Sequence, residues 1–232
     1  PAVDAVNAAT GVKELNIIGY CIGGTLTSAG LGHMAVNKDT RITSATFFTS
    51  QVDFTEAGDL SVFIDDEQLA SMEAQMKSQG GYLDGDAMAT TFNMLRSNDL
   101  IWSFVVNNYL MGRDPLAFDI LYWNSDTTRM PVAMHMQYLR ECYRDNLLAQ
   151  GKMKLAGTKI DLTKIKIPVF LQSSKEDHIA PAKSVFKALK IFSGPTEFMM
   201  AGSGHIAGVV NPPSARKYQF WTNTKKAATL DE

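Results

Sequence analysis

Among the 232 residues there are only two cysteines, Cys21 and Cys142. They form neither a disulfide framework nor a metal-ligand spacing, which suits a reducing cytoplasm. A run of about eighteen apolar residues, the minimum for a membrane-crossing helix, is absent, so we expect no transmembrane segment. No signal-peptide pattern stands at the start of the sequence either. Basic charge is not in excess: 22 Lys and Arg face 24 Asp and Glu, a net charge of −2 that argues against a nucleic-acid partner. Internal repeats and low-complexity stretches are lacking too. What remains is a chain 45% apolar and 20% charged, enough for a substantial core in one domain carrying an insertion. We expect a soluble, cytoplasmic enzyme.

The most informative segment is Gly19-Tyr20-Cys21-Ile22-Gly23-Gly24. It follows the apolar run from Leu15 to Ile18 and precedes the helix-like stretch from Thr25 to Met34, so it reads as strand, sharp turn, helix. In a G-x-[S/C]-x-G pattern the central residue takes a strained turn that lifts it out of the sheet as a nucleophile. The flanking glycines, Gly19 and Gly23, are expected because side chains there would strike the neighbouring strand and helix. The backbone N–H of Ile22, next along, is the natural oxyanion donor. Alone, the pattern is equally compatible with a structural cysteine between glycines. An acid and a histidine following in that order would make it a nucleophile elbow.

They do follow. Ile167 to Ser173 is a β-rich run that opens into Ser174-Lys175-Glu176-Asp177-His178 and then a helical stretch from Pro181 to Phe192. Thr196 to Ala201 is the next strand and ends in Gly202-Ser203-Gly204-His205. Nucleophile, acid, histidine is the chain order of the α/β-hydrolase fold, with acid and histidine on loops at the C-terminal ends of parallel strands. The catalytic candidates are therefore Cys21, Asp177 and His205. Glu176 and His178 rival Asp177, but adjacent loop residues point in different directions; Glu176 reads as a solvated charge and His178 as a polar contact at the pocket border. Cys142, in a helical pattern, reads as a structural thiol.

After the second core strand, Ile42 to Ser50, the alternation of strands and helices stops. Residues 52–165 are too many for an unstructured loop and are expected to form a cap, mainly helical. This divides the chain into a first core part (1–51), the insertion, a second core part (166–223) and a tail (224–232). Helices are expected over Asp66 to Ser78, Asp86 to Arg96, Asp99 to Leu110 with Asn98 as its cap, and Val132 to Leu148. Nine of the twelve methionines fall in the insertion, among them Met72, Met76, Met88, Met94, Met111, Met134 and Met136. They are either core filling or flexible thioethers that let a cap repack. Tyr122 and Trp123, with Trp102 and Tyr109, are candidates for lining an apolar tunnel, against ordinary packing. Asp119, Asn124 and Asp126 read as turn and capping groups.

The stretch GYCIGGTL, the run LRSNDLIWSFVVNNYLMGRDPLAFDILYWNSDTTRMP, the loop SKEDHIAP and the tail GSGHIAGVVNPP followed by FWTN resemble the polyhydroxyalkanoate synthases over residues 5–223. The likeness is to the class I, short-chain group acting on 3-hydroxybutyryl-CoA. The resemblance implies an acyltransferase that grows a polyester on Cys21 as a thioester, releasing CoA, with His205 taking the thiol proton. It leaves Asp177 either orienting the histidine or helping to activate the 3-hydroxyl of the incoming unit. It implies 3-hydroxyacyl-CoA as substrate and no cofactor or metal, coenzyme A being only the carrier. It also implies a mobile cap with homodimer contacts and an association with polymer granules. Cysteine suits such work, because one thioester exchanges into another at little net free-energy change. Water must be kept from that intermediate, and the insertion is the expected shield.

The first strand already leads into the elbow, whereas an α/β-hydrolase sheet has strands before it, one of whose loops supplies the second oxyanion donor. We therefore expect an internal fragment of a longer product, prone by itself to aggregate through the edge of its first strand. Two other readings stay open: a Cys-dependent thioesterase or dienelactone-type hydrolase, and a non-catalytic granule scaffold.

Overall fold

The computed structural model describes residues 1–115, 122–123, 126–223 and 227–230. They divide into two compact units, one of Pro1–Ser61 with Arg140–Glu232 and one of Val62–Leu139.

The first unit is built on apolar, β-branched runs that pair in parallel. Strand β1 (Leu15–Tyr20) pairs with β2 (Ile42–Phe48), in register Ile17 to Ala45 through Tyr20 to Phe48. The long gap after β2 contains β3 (Tyr82–Leu83), β4 (Met130–Pro131), β5 (Lys154–Leu155) and β6 (Thr158–Lys159), which make two small antiparallel ladders, β3 with β4 and β5 with β6. The main sheet resumes with β7 (Val169–Ser174) and β8 (Thr196–Ala201), both parallel, and ends on the antiparallel β9 (Phe220–Thr222). Its order is β1-β2-β7-β8-β9, so β7 is the central strand. β7 is buried along nearly its whole length, as a strand of a parallel sheet covered on two faces should be, whereas β2 mixes buried and half-buried positions. Ala45, Phe47, Val169 and Leu171 are almost fully enclosed, and Phe47 stacks on Phe192 with centroids 5.7 Å apart. β1 is an edge among the described residues, and Ile18 at its middle is exposed.

Helix α1 (Ala2–Thr10) ends on Gly11, and α2 (Ile22–Val36) leaves directly from the end of β1. The passage from β1 into α2 agrees with the elbow reading, and the four expected core strands all form, whereas α1 was not among the expected elements.

The second unit is helical. Asp65 caps α3 (Asp66–Ser78) by accepting from the Gln68 amide at 2.7 Å, and α3 buries Leu69 and Met76. α4 (Gly85–Leu95) follows, and beyond Arg96 the chain winds again with π-turns over Asn98–Trp102 and Val105–Leu110. Asn98 does not cap this stretch as expected: Ser97 before it is already helical, so no N-terminus exists there to cap. The helix beginning at Val132 continues through a π segment only to Arg144, not Leu148, because the backbone turns left-handed at Asn146.

The boundaries of the insertion also differ from 52–165. Residues 52–61 and 140–165 belong with the sheet. Val52, Phe54, Leu148, Ile160, Leu162 and Ile165 are buried there, and Asn146 bonds both the Phe54 amide and the Asp53 carboxylate. The methionines split: Met76 and Met136 are buried, whereas Met94, Met111 and Met134 are about half exposed.

Candidate active site

The elbow is strained in the backbone itself. Cys21 stands at φ 54° and ψ −130°, a conformation an L-residue keeps only when its surroundings enforce it, at a cost of roughly 1–3 kcal/mol. Here they do: the Cys21 amide donates to the Phe48 carbonyl at 3.0 Å, and the Cys21 carbonyl accepts from Gly24 N at 3.0 Å and Thr25 N at 3.3 Å. The thiol is left partly accessible at the helix start.

Two glycines make this crossing possible, but not both of those expected. A Cβ on Gly19 would lie 2.5 Å from the Gly24 α-carbon, and one on Gly24 would lie 1.9 Å from Ser50 Oγ. A Cβ on Gly23 would meet nothing within 4 Å. Gly23 is therefore not a steric requirement; it faces away from the strand, and the close approach falls one residue later, on Gly24. Ile22 opens α2, so its N–H is one of the first-turn donors that lack an intrahelical acceptor.

The acid is held from three sides. Asp177 Oδ1 accepts from the amides of Ile179 and Ala180, each at 2.9 Å, and Oδ2 lies 2.7 Å from His205 Nδ1. Its side chain is fully buried and that of His205 nearly so. Glu176 is exposed and uses only its backbone, donating to the Ser203 carbonyl at 2.9 Å, so the choice between the adjacent acids goes to Asp177. His178 is half-buried next to it.

Burial alone would discharge the His205 ring, but hydrogen bonding to Asp177 and to Cys21, followed by their negative charge, outweighs it and raises the ring to about 9. The imidazolium is thus the favoured form at neutral pH. With Nδ1 committed to the carboxylate, Nε2 is the nitrogen left for the sulfur. Cys21, His205 and Asp177, which are far apart in sequence, are brought together in the order nucleophile, base, acid.

Tyr20 joins them, and the sequence offered no sign of it. Its hydroxyl donates to the His205 carbonyl at 2.9 Å, and the two rings lie 5.4 Å apart between centroids. Burial, then the charges of Cys21 and Asp177, push its phenol up to about 12, so it is a neutral donor. Gln172, also unmarked in the sequence, is buried beside the same loops. The other pocket candidates belong to the second unit: Tyr122 is 85% exposed and Trp123 66%. Trp102 and Tyr109 are exposed as well, and so is Asp126. Asp119 and Asn124 lie outside the described residues. Cys142 is buried, and burial, with Glu141 beside it, pushes its thiol up to about 12.

A strand order with the nucleophile at the end of one parallel strand, the acid after another and the histidine after the next is that of the α/β-hydrolases. The chain matches the family model for the alpha/beta hydrolase fold over residues 2–212 and belongs to that family. Its structure is similar to that of a hydrolase from Pseudomonas aeruginosa PA01, with a TM-score of 0.52 at 14% identity, covering 92% of this chain and 66% of that one. Its sequence relatives are more particular. It is 58% identical over 95% of its length to the poly(3-hydroxyalkanoate) polymerase subunit PhaC of Rhizobium meliloti (strain 1021) and 54% identical to the poly(3-hydroxyalkanoate) polymerase of Methylorubrum extorquens. The polymerase subunit of Cupriavidus necator is 37% identical over 96% of this chain. The chain spans 36%, 36% and 38% of the length of these three relatives.

Proposed function

We propose that this chain carries the acyl-transfer site of a poly(3-hydroxyalkanoate) polymerase, taking (R)-3-hydroxyacyl units, and 3-hydroxybutyryl in particular, from coenzyme A. The observation that carries the reading is the buried contact of His205 with Asp177 beside a strained Cys21. The polymerases to which the chain is similar supply the substrate class.

In this reading the sulfur of Cys21 attacks the thioester carbonyl while the ring of His205 holds the thiol's proton. The oxyanion that develops accepts from the Ile22 amide. As the carbon–sulfur bond to coenzyme A breaks, the imidazolium returns its proton to the departing thiolate, and the acyl group stays on Cys21. The hydroxyl of a further 3-hydroxyacyl-CoA then loses its proton to the now neutral ring and attacks the Cys21 thioester. The ester bond forms as the bond from the acyl carbon to the Cys21 sulfur breaks, leaving the Cys21 thiolate beside the imidazolium to take the lengthened chain back from coenzyme A by the first step. Asp177 keeps Nδ1–H directed to itself and stabilises the imidazolium; a direct hold on the incoming hydroxyl is the other role open to it. No resident cofactor or metal enters this scheme. The partners proposed are the 3-hydroxyacyl-CoA, the polyester and its granule surface, and a second copy of the chain through the inserted region, in the cytoplasm.

The test is CoA release from 3-hydroxybutyryl-CoA by a protein carrying this chain and by its Cys21→Ala variant, with analysis of the product. CoA and polymer together, both lost in the variant, support the reading. CoA with free 3-hydroxybutyrate makes the site a thioesterase, and no release from either protein returns the weight to a non-catalytic scaffold.

A further inference from the structure

The base of this site sits on a loop that has little regular structure of its own. Between the end of β8 and Gly208 the chain makes turns, and Ser203 stands at φ 124°, outside the region an L-residue prefers. Such a backbone persists only where its surroundings over-determine it. Two side chains from outside the loop reach its carbonyls. Tyr20, on the strand that delivers the nucleophile, donates to the His205 carbonyl at 2.9 Å. Gln172, on the strand that delivers the acid, has Nε2 within reach of three acceptors that share its two hydrogens: the Ser173 carbonyl at 2.7 Å, Ser174 Oγ at 3.1 Å and the Gly208 carbonyl at 3.3 Å.

Ser174 stands between the two catalytic loops. Its carbonyl accepts from the Asp177 amide at 3.2 Å, and a Cβ on Gly208 would lie 2.1 Å from its Oγ. The Gln172 amide therefore touches the base of the acid turn and the far end of the histidine loop at once. Gln172 is also an expensive residue to keep here. It is 1% exposed, and its Oε1 has no hydrogen-bond partner, whereas an apolar side chain in a central strand would leave nothing unsatisfied.

We propose that Tyr20 and Gln172 are positioning residues that hold the His205 loop from the nucleophile side and from the acid side, setting the distances of the ring to Cys21 and to Asp177. Neither touches the reacting atoms by this account; both act through the backbone of the loop. The inference rests on the triad reading above but not on the identity of the acyl substrate.

The test uses Tyr20→Phe, which keeps the ring and removes the hydroxyl, Gln172→Met, which keeps the volume and removes both the donor and the unpartnered oxygen, and the double variant. Two readouts are independent of any acyl-CoA: the NMR titration of the His205 ring, and the rate and pH profile of Cys21 alkylation by iodoacetamide, mapped by mass spectrometry. Each single variant is expected to move the ring titration down from about 9 toward 6.5 and to slow alkylation at neutral pH by about threefold to tenfold, the worth of one hydrogen bond. The double variant is expected to lose more, with melting temperatures close to the parent. Unchanged titration and alkylation in folded Tyr20→Phe and in the double variant would overturn the proposal. Should Gln172→Met not fold, Tyr20→Phe alone decides. A His205→Ala control separates the two claims: if it leaves Cys21 alkylation untouched, the triad reading itself fails and this inference with it.

Discussion

The two units of this chain bury their apolar residues to very different degrees. In the sheet unit Phe47, Leu171 and Val185 are sealed between strands and helices drawn from both ends of the sequence, and the catalytic candidates hang from strand ends braced by that core. In the helical unit, α3 seals Leu69, but Leu110, Tyr109 and Trp102 stay open to solvent, and the helix that carries them runs in π-turns. A π-turn is rare and occurs mostly as a single-turn bulge within a helix, frequently at functional sites. The two cysteines repeat the contrast within the sheet unit: one is strained and accessible, the other relaxed and enclosed. The lesson is that stored strain needs a rigid frame, and here strain and frame occur together.

Four comparisons, made with seven substitutions, can break or sharpen that contrast. The largest effect is expected from the cysteines: Cys21→Ala should lower CoA release by about 10⁴-fold or more, while Cys142→Ala keeps its turnover and loses only about 1–2 kcal/mol of stability. Equal activity losses would end the distinction between them. Asp177→Asn should cost roughly 10²–10⁴-fold by the same assay. It should also bring the His205 titration down. Because that ring is raised from 6.5 to about 9, its stabilisation is complete below 6.5 and lost as pH rises through about 9. The stability gap between parent and Asp177→Asn should therefore close in that window, as chemical denaturation at several pH values would reveal.

The third comparison addresses the helical unit with two substitutions. Leu69→Ala, at a side chain with 0% exposure, should destabilise by about 2–5 kcal/mol. Tyr109→Ser, at 83% exposure, should stay within about 0.5 kcal/mol, and urea unfolding reads both. A large loss at Tyr109 would mean that the open face is covered in solution. The smallest pair lies in the elbow: Gly24→Ala should cost about 1–3 kcal/mol by overpacking against Ser50, and Gly23→Ala should be neutral or stabilise by about 0.5–1 kcal/mol, since helix interiors favour alanine. Thermal melts of the two variants, reversed in order, would put the steric demand back on Gly23.

Much of this was legible locally. Strands β1, β2, β7 and β8 and the helix over Asp66–Ser78 follow from periodicities and turn residues within a few positions of one another, and the order of Cys21, Asp177 and His205 can be read along the chain. The helix start near Asn98 was not legible, because π-winding has no local signature, whereas the stop before Leu148 had one, since asparagine turns left-handed more readily than other residues that carry a side chain. The reach of the sheet unit into 52–61 and 140–165 was hidden because it reflects packing rather than propensity.

By itself, then, the amino-acid order marked the candidates for the chemistry and the strand ends on which they sit, since apolar runs and glycine-flanked turns are properties of neighbours along the chain and the succession of cysteine, acid and histidine is a property of the linear order. Tertiary structure alone decided that Asp177 and not Glu176 meets the ring, that Gly24 and not Gly23 bears the crossing, and that Tyr20 and Gln172 grip the loop of His205. Each of those is a contact of a few ångströms between segments distant in sequence, and only the assembled sheet brings them within reach.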